Sequence, residues 1–304
     1  MTIIDAAMRR PRAIGIVCAA GAVVLGLAYM VIAGAPMRYL GVNVGALAIG
    51  LALLGRTLPT GQQWTDGAII AMAGALLATG LAGAEVEGIS RWVRLGGFAI
   101  QPSLILLPLM IVAFSQARSV LATAGIAAAA AAMALQPDRS MAGMLVLSLV
   151  TLTIICRDRQ SLVALAASIA GFAVTLGRAD PLPAVPYVEQ VLYSSFDAHA
   201  GAGLAAVSGS ALLLVPAIVG WRRGAGNRAP YAAFGTVWLA AIMAAALGNY
   251  PTPIVGYGGS AIIGYVLSLL ALPKRAGAHA RVASRTHGET DSTLSDRHLL
   301  VGLA

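Results

Sequence analysis

The residues best suited to chemistry lie in one short segment, residues 83–103, with the sequence GAEVEGISRWVRLGGFAIQPS. The segment contains Arg91, Trp92 and Arg94 in a chain that is 59% hydrophobic and only 11% charged. A guanidinium group is a planar fork of donors that matches phosphate oxygens, and the glycine pair 96–97 permits close backbone approach. The segment therefore fits a phosphate or pyrophosphate site. A structural interpretation stays open, because tryptophan and arginine also suit a membrane interface.

Two Gln-Pro steps follow, QPS at 101–103 and QPD at 136–138. Proline is tolerated in the first turn of a helix, and a nearby serine or aspartate can cap the free N–H groups. Each step therefore predicts the start of a helix. Asp138, which stands just before a predicted span, fits this structural interpretation.

A carboxylate, Asp197, stands in the segment SSFDAHAG just before a long apolar run. Aspartate is a preferred helix N-cap. It can also accept a proton from an attacking hydroxyl group as a general base. Both interpretations of Asp197 stay open on the residues alone.

The segment YGGS at 257–260 stands at the start of the last apolar run. Pro251 and Pro253 precede it and preclude regular helix there. The pattern predicts an irregular or re-entrant loop, which is tolerated only where protein or water covers its backbone.

The elements that must position these residues follow from the composition. The chain has 304 residues, 35 glycines and a mean hydropathy of +0.83, with long continuous runs of Ala, Leu, Val and Ile. A spanning helix needs about 20 mostly apolar residues, and lipid offers the backbone no hydrogen-bond partners, so continuous runs predict helices. We therefore predict an all-α fold, a polytopic integral membrane helical bundle of ten transmembrane helices. The predicted spans are 13–33, 39–55, 67–84, 100–117, 119–135, 140–156, 161–177, 200–220, 230–247 and 254–272.

The distribution of charge is a test of this count, because cytoplasmic loops carry an excess of Lys and Arg. With ten spans and a cytoplasmic N-terminus, fifteen of the twenty basic residues fall on the cytoplasmic side. Both termini are therefore predicted to be cytoplasmic. The five basic residues on the outer face are Arg38, Arg91, Arg94, Arg139 and Arg178. Six of the twelve acids share that face: Glu85, Glu87, Asp138, Asp180, Glu189 and Asp197.

Three regions are predicted: a cytoplasmic N-terminus at 1–12, the transmembrane domain at 13–272, and a disordered cytoplasmic tail at 273–304, which lacks sustained apolar periodicity. The net charge of +8 is spread over short connectors, so membrane topology accounts for it and no nucleic-acid partner is predicted. Cys18 and Cys156 have no metal or redox spacing, and no metal site is predicted. The sequence requires no cofactor and is compatible with a divalent cation.

Three motifs, in this order, resemble the SEDS family, the RodA, FtsW and SpoVE proteins of bacterial shape, elongation and division. They are GAEVEGISRWVRLGGFAIQPS, ALQPDRSMAGMLVLSL and NYPTPIVGYGGSAIIGYVLSLL. The family pattern runs approximately G-x-E-x-N-G-x-x-R-W…Q-P-S-E, then Q-P-D-x-G, then P-L-P-F-x-S-Y-G-G-S. The likeness covers most of residues 40–272 and includes a long outer loop between the seventh and eighth spans.

The resemblance implies a peptidoglycan glycosyltransferase that polymerises lipid II, a polyisoprenyl pyrophosphate-linked disaccharide, at the outer face of the bacterial plasma membrane. It implies a role in cell-wall synthesis during division or elongation, pairing with a transpeptidase penicillin-binding protein, and contact with membrane lipid. Asp197 matches the family's catalytic aspartate, which would deprotonate the attacking sugar hydroxyl. Substrate binding is predicted at Arg94 from its charge and, by position in the motifs, at Arg91, Trp92, Gln101, Ser103, Asp138, Tyr257, Gly258, Gly259 and Ser260.

Several positions depart from the family pattern. Leu104 and Leu107 stand where the family has a glutamate and a lysine, Ala205 and Ala206 replace an acidic pair, and Ser140 replaces a glycine. Two other functions therefore stay open. One is a non-catalytic SEDS-like protein that scaffolds a cell-wall synthesis partner, which the two leucines favour. The other is a flippase or transporter of a lipid-linked substrate, although such proteins usually need ionisable groups inside the membrane.

Overall fold

The computed structural model describes residues 10–55, 61–86, 89–178, 183–223 and 227–273. Residues 1–9 and the predicted tail beyond Pro273 lie outside this part, as do Glu87 and Asp180. The described residues form helices and one small sheet. The helices are α1 (Pro11–Ile32), α2 (Met37–Leu54), α3 (Gln62–Ala82), α4 (Pro102–Ala117), α5 (Val120–Leu135), α6 (Arg139–Cys156), α7 (Arg159–Leu176), α8 (Val191–Ala198), α9 (Ala200–Leu212), α10 (Val215–Arg223), α11 (Ala229–Leu247) and α12 (Gly259–Ser268), which continues as a 3-10 turn over Leu269–Ala271.

The predicted all-α polytopic membrane fold is confirmed. Seven helical segments within the described residues are long and apolar enough to cross a membrane, and one of them, Ala200–Arg223, comprises α9 and α10. Three shorter apolar helices, Pro102–Ala117, Val120–Leu135 and Gly259–Ala271, fall where the other three spans are predicted. Each of the ten predicted spans thus coincides with an apolar helical segment.

The segment between α3 and α4 folds as a three-stranded antiparallel sheet, which the sequence analysis did not predict. The strands are β1 (Ala84–Val86), β2 (Ile89–Leu95) and β3 (Phe98–Ile100), in the order β1-β2-β3. Gly96 and Gly97 link β2 to β3 with φ angles of +55° and +84°. Two consecutive residues of positive φ are characteristic of the tight turn that matches strand twist. This pair therefore makes the turn of a hairpin.

The core of the bundle is centred on α4, which packs against α3, α5, α6, α11 and α12. Its residues Leu104 and Leu107 are 4% and 0% exposed. Trp238 from α11 and Tyr265 from α12 are fully buried, with ring centroids 5.0 Å apart. Because α4 lies at the centre, its first residues are held in position by helices on several sides.

The two ends of the bundle differ in their polar contacts. The end that carries the sheet, here called the sheet end, includes the loops before α4, α6, α9 and α12. At the opposite end, Arg12 Nε and Nη2 donate to the carbonyl oxygens of Leu272 and Leu270, each at 2.7 Å. The described chain therefore begins and ends at the same end of the bundle.

Candidate functional site

Asp138 is the centre of a buried hydrogen-bond network at the sheet end. Its Oδ2 accepts from Gln101 Nε2 and from Ser103 Oγ, both at 3.0 Å. Its Oδ1 accepts from Ser140 Oγ at 3.0 Å and from the backbone N–H of Met141 at 3.2 Å. The aspartate is fully buried and caps α6. The predicted helix start at 138 is confirmed, and the same side chain joins the QPS and QPD motifs.

The third motif is joined to the first by Ser260. The backbone N–H of Gln101 donates to Ser260 Oγ at 3.0 Å. Pro102 is the first residue of α4, as its motif predicts, and Gln101 occupies the N-cap position without a side-chain capping bond. Gln101, Ser103, Asp138 and Ser260, which are far apart in the chain, are therefore brought together by the fold.

Asn43 holds the loop that leads into YGGS. This side chain of α2 is fully buried; its Nδ2 donates to Gly256 O at 2.9 Å, and its Oδ1 accepts from the N–H of Gly258 at 3.2 Å. A Cβ built on Gly259 would lie 3.2 Å from the Cβ of Ala46 on the same helix. The irregular backbone predicted before α12 is thus present, and α2 satisfies two of its polar groups. No pattern around Asn43 in the sequence marks it.

Tyr257 belongs to an aromatic cluster rather than to the hydrogen-bond network. Its ring stacks on Tyr39, with centroids 3.8 Å apart and an interplanar angle of 12°. Its backbone N–H donates to Tyr187 O at 2.6 Å. The Arg38 guanidinium lies over the other ring of the stack, 5.2 Å from the Tyr39 centroid. One face of the Tyr257 ring is therefore occupied by protein.

Arg91 and Trp92 enter the site from strand β2. Arg91 is 4% exposed, and its Nη2 donates to Pro137 O, the carbonyl oxygen just before Asp138. Both side chains line a cleft with Gln101 and Ser140. The arginine that was predicted to bind phosphate therefore lies directly above the network that joins the motifs.

The opposite wall of this cleft comes from the two loops before α8 and α12. It consists of Glu189 together with Asn249, Tyr250 and Pro251. Glu189 and Pro251 form an isolated antiparallel β-bridge, and the N–H of Thr252 donates to Val188 O at 2.8 Å. None of these residues was predicted to belong to the site, because only the folded chain shows which residue of a long loop faces the cleft.

Tyr257, Gly258 and Gly259 are not part of the cleft lining, and two further predicted site residues, Arg94 and Asp197, lie apart from it on the surface. Arg94 is exposed and is absent from the described lining, although it belongs to the same strand as Arg91. Asp197 is exposed near the end of the short helix α8. The N-cap interpretation of Asp197 is wrong: His199 occupies that position, and its Nδ1 accepts from the N–H of Gly201 at 2.9 Å. A break between α8 and α9, which the sequence did not indicate, places the capping residue two positions after Asp197.

The described residues contain no group of three or more His, Cys, Asp or Glu side chains that could hold a metal ion. The carboxylate of Asp138 is surrounded by four hydrogen-bond donors of the protein itself. The carboxylate therefore holds the first turns of α4 and α6 together.

The fold is similar to that of solved bacterial structures. The chain matches the crystal structure of the rod-shape-determining protein RodA from Thermus thermophilus with a TM-score of 0.58 and 20% identity, covering 84% of this chain and 93% of that chain. A variant of that RodA with one aspartate replaced by alanine matches with a TM-score of 0.57 and 20% identity, covering 84% of this chain and 94% of the other. No family model and no curated protein sequence matches the chain. The chain is thus a polytopic membrane protein with a RodA-like fold.

Proposed function

We propose that this chain is a SEDS-like peptidoglycan glycosyltransferase that polymerises lipid II at the outer face of the bacterial plasma membrane. The observation that carries the proposal is the convergence of three motifs on one cleft: Asp138 joins Gln101 and Ser103, Ser260 joins Gln101, and Arg91 lies above them. The RodA-like fold supports the proposal. The three motifs that meet at this cleft are also the ones that resemble the SEDS family.

In the proposed reaction, a hydroxyl group of one lipid-linked sugar attacks the anomeric carbon of a second lipid-linked chain. A carboxylate accepts the hydroxyl proton, a new glycosidic C–O bond forms, and the bond from the anomeric carbon to the pyrophosphate breaks. Arg91 stabilises the negative charge of the departing polyprenyl pyrophosphate, since a fixed donor group acts most strongly where charge develops. By its resemblance to the family, Asp197 is the proposed base.

The proposal fixes an orientation and a set of partners. The sheet end faces outward, and both termini are cytoplasmic, because this arrangement places fifteen of the twenty basic residues inside. A transpeptidase penicillin-binding protein is the proposed partner, because it would cross-link the strands that the glycosyltransferase makes.

A second candidate function is a non-catalytic SEDS-like protein that scaffolds a cell-wall synthesis partner. Leu104 and Leu107 favour it, since both are buried in the first turns of the central helix α4. The family has a glutamate and a lysine at these positions, so a polar part of the site is apolar in this chain.

Incubation of the purified protein with lipid II separates the two functions, with products resolved by gel electrophoresis. The unaltered protein should make glycan strands, whereas Asp197→Asn should make none and unfold at an unchanged temperature. Asparagine has nearly the same shape, but it cannot accept the proton. Strands from the asparagine variant would reject Asp197 as the base. Absence of strands from the unaltered protein, with and without a transpeptidase partner, would favour the scaffold.

A further inference from the structure

A single residue, His199, separates the short helix α8 from α9, two positions after Asp197. Its backbone is extended, with a φ of −172° and a ψ of 141°. Its Nδ1 accepts from the N–H of Gly201 at 2.9 Å, and its own N–H donates to Ser195 O at 3.2 Å. One histidine therefore ends α8 and caps α9, a place that Ser, Thr, Asp or Asn usually takes.

The helix α8 is held along its whole length. Just before it, Gln190 Nε2 donates to Oδ1 of Asn249, a residue of the cleft lining, at 2.7 Å. In its middle, the Tyr193 hydroxyl donates to a carbonyl oxygen in the last turn of α11 at 2.8 Å. Near its end, the ring of Phe196 lies against Gly203 of α9, where an added Cβ would overlap it. The position of α8 is therefore fixed relative to the cleft and to α9.

This placement leaves Asp197 accessible. Val191 and Ser195, four residues apart, are fully buried and define the inward face of α8. Asp197 lies about 200° around the helix from Ser195, and it is exposed. With a rise of about 1.5 Å per residue, Asp197 also stands about 9 Å along the helix from Val191. Because α8 begins beside the cleft wall, the helix acts as a spacer between that wall and the carboxylate.

A separation of this kind suits the proposed reaction. In a direct displacement at an anomeric carbon, the hydroxyl enters on the face opposite to the leaving pyrophosphate. The reacting atoms must be about 3–3.5 Å apart, and the base lies one hydrogen bond further out. A base beside the pyrophosphate would therefore be on the wrong face of the sugar, whereas one carried away from the cleft wall by a short helix has the required distance.

We infer that His199 is a positioning residue for this reaction: by ending α8 and capping α9 it fixes the place of Asp197 across the sugar from the pyrophosphate. The inference rests on the proposed function. His199 exchanges no proton with the substrate, because its Nδ1 is occupied by the N–H of Gly201. Any side chain that caps α9 in the same way should therefore replace it, which would not hold for a histidine that acts as an acid or a base.

The test measures kcat and KM for lipid II polymerisation in His199→Ala and His199→Asn. Alanine removes the cap, so kcat should fall about tenfold or more, because a displacement of about 1 Å can cost a factor of 100 in rate. The KM for lipid II should be unchanged, since the cleft lining comes from other residues. Asparagine is a preferred N-cap but cannot act as an acid or a base, so His199→Asn should keep most of the unaltered kcat.

The matched control is Ser119→Ala, which removes an N-cap at the opposite end of the bundle. Ser119 Oγ accepts from the N–H of Ala122 at 2.9 Å and also donates to Asp66 Oδ1 at 2.8 Å. This variant should lower the unfolding temperature at least as much as His199→Ala and leave kcat unchanged.

Three results would overturn the role of His199 and leave the proposed function intact. They are an unchanged kcat in His199→Ala, an equal loss of kcat in His199→Asn, and an equal loss of kcat in Ser119→Ala. Absence of polymerisation by the unaltered protein, with and without a transpeptidase partner, would overturn the proposed function and the inference with it.

Discussion

At the scale of single residues, Asp138 shows how one side chain assembles the site. Four donors from Gln101, Ser103, Ser140 and Met141 converge on its two oxygens. Ser140 stands where the resembling family has a glycine, and here it adds a donor to the carboxylate. The aspartate needs all of its acceptor capacity, because each donor around it is buried with it.

This arrangement predicts that Asp138→Asn is destabilising although the two side chains have nearly the same shape. The amide NH2 group would face donors, so at least one buried hydrogen bond is lost together with the charge. We expect a loss of about 1.5–3 kcal/mol in the free energy of unfolding, as for hydrogen bonds to charged groups. Ser140→Ala removes one donor and leaves the charge and the other three donors, so it should cost less than Asp138→Asn. Denaturant unfolding in detergent micelles measures both, and equal values for the two variants would contradict the convergence.

Some residues of this hydrogen-bond network could be predicted from the sequence. Gln101, Ser103 and Asp138 could be identified because proline and capping residues mark a helix start locally. Asn43 and Glu189 could not, because their partners lie far along the chain and depend on how α2 and the loops pack. The N-cap interpretation of Asp197 was wrong for a related reason, since the local pattern does not show the break at His199.

At the scale of elements, the site depends on a small sheet and a central helix. The sheet could have been predicted, since a Gly-Gly pair between the segments WVRL (92–95) and FAI (98–100) is a hairpin signal. The apolar runs around it masked this signal. The central helix α4 meets α12 where Gly264 lies against the backbone oxygen of Leu104, a contact that leaves no room for a Cβ.

Gly264→Ala is therefore expected to destabilise the bundle by about 1–3 kcal/mol, because the added methyl group meets backbone and cannot be relieved by a rotamer change. Gly41→Ala is the matched control on α2, since nothing lies within 4 Å of a Cβ built there. Alanine favours helix over glycine by about 1 kcal/mol, so the control should be neutral or stabilising. Thermal unfolding in detergent compares the two, and equal stabilities would contradict the close packing of α4 on α12.

At the scale of the whole molecule, the helical segments match the ten predicted spans because continuous apolar runs are a strong local signal. Their boundaries differ by a few residues, and α12 begins at Gly259 rather than at 254 because Asn43 and the prolines hold the preceding loop open. The contacts of Arg12 with Leu270 and Leu272 place the first and last described residues at one end. The sequence predicts that this end is cytoplasmic.

A reporter fused after Ala304 tests this orientation in a bacterial cell. A reporter that is active only in the cytoplasm should be active, because the excess of Lys and Arg would hold this end inside. The same reporter inserted at the hairpin turn Gly96-Gly97, at the sheet end, should be inactive. Activity at the hairpin and none at the C-terminus would reverse the topology and place the cleft on the wrong side for lipid II polymerisation.

The central claim is that the cleft around Arg91 receives the pyrophosphate of lipid II, and the most direct test is the polymerisation rate of Arg91→Lys. Lysine keeps the charge but cannot make the paired contacts of a guanidinium group, so the rate should fall about tenfold or more while the unfolding temperature stays close to that of the unaltered protein. Arg38→Lys makes the same exchange at an exposed position of the sheet end and should polymerise at the unaltered rate. Full activity of Arg91→Lys, or an equal loss in Arg38→Lys, would contradict the account.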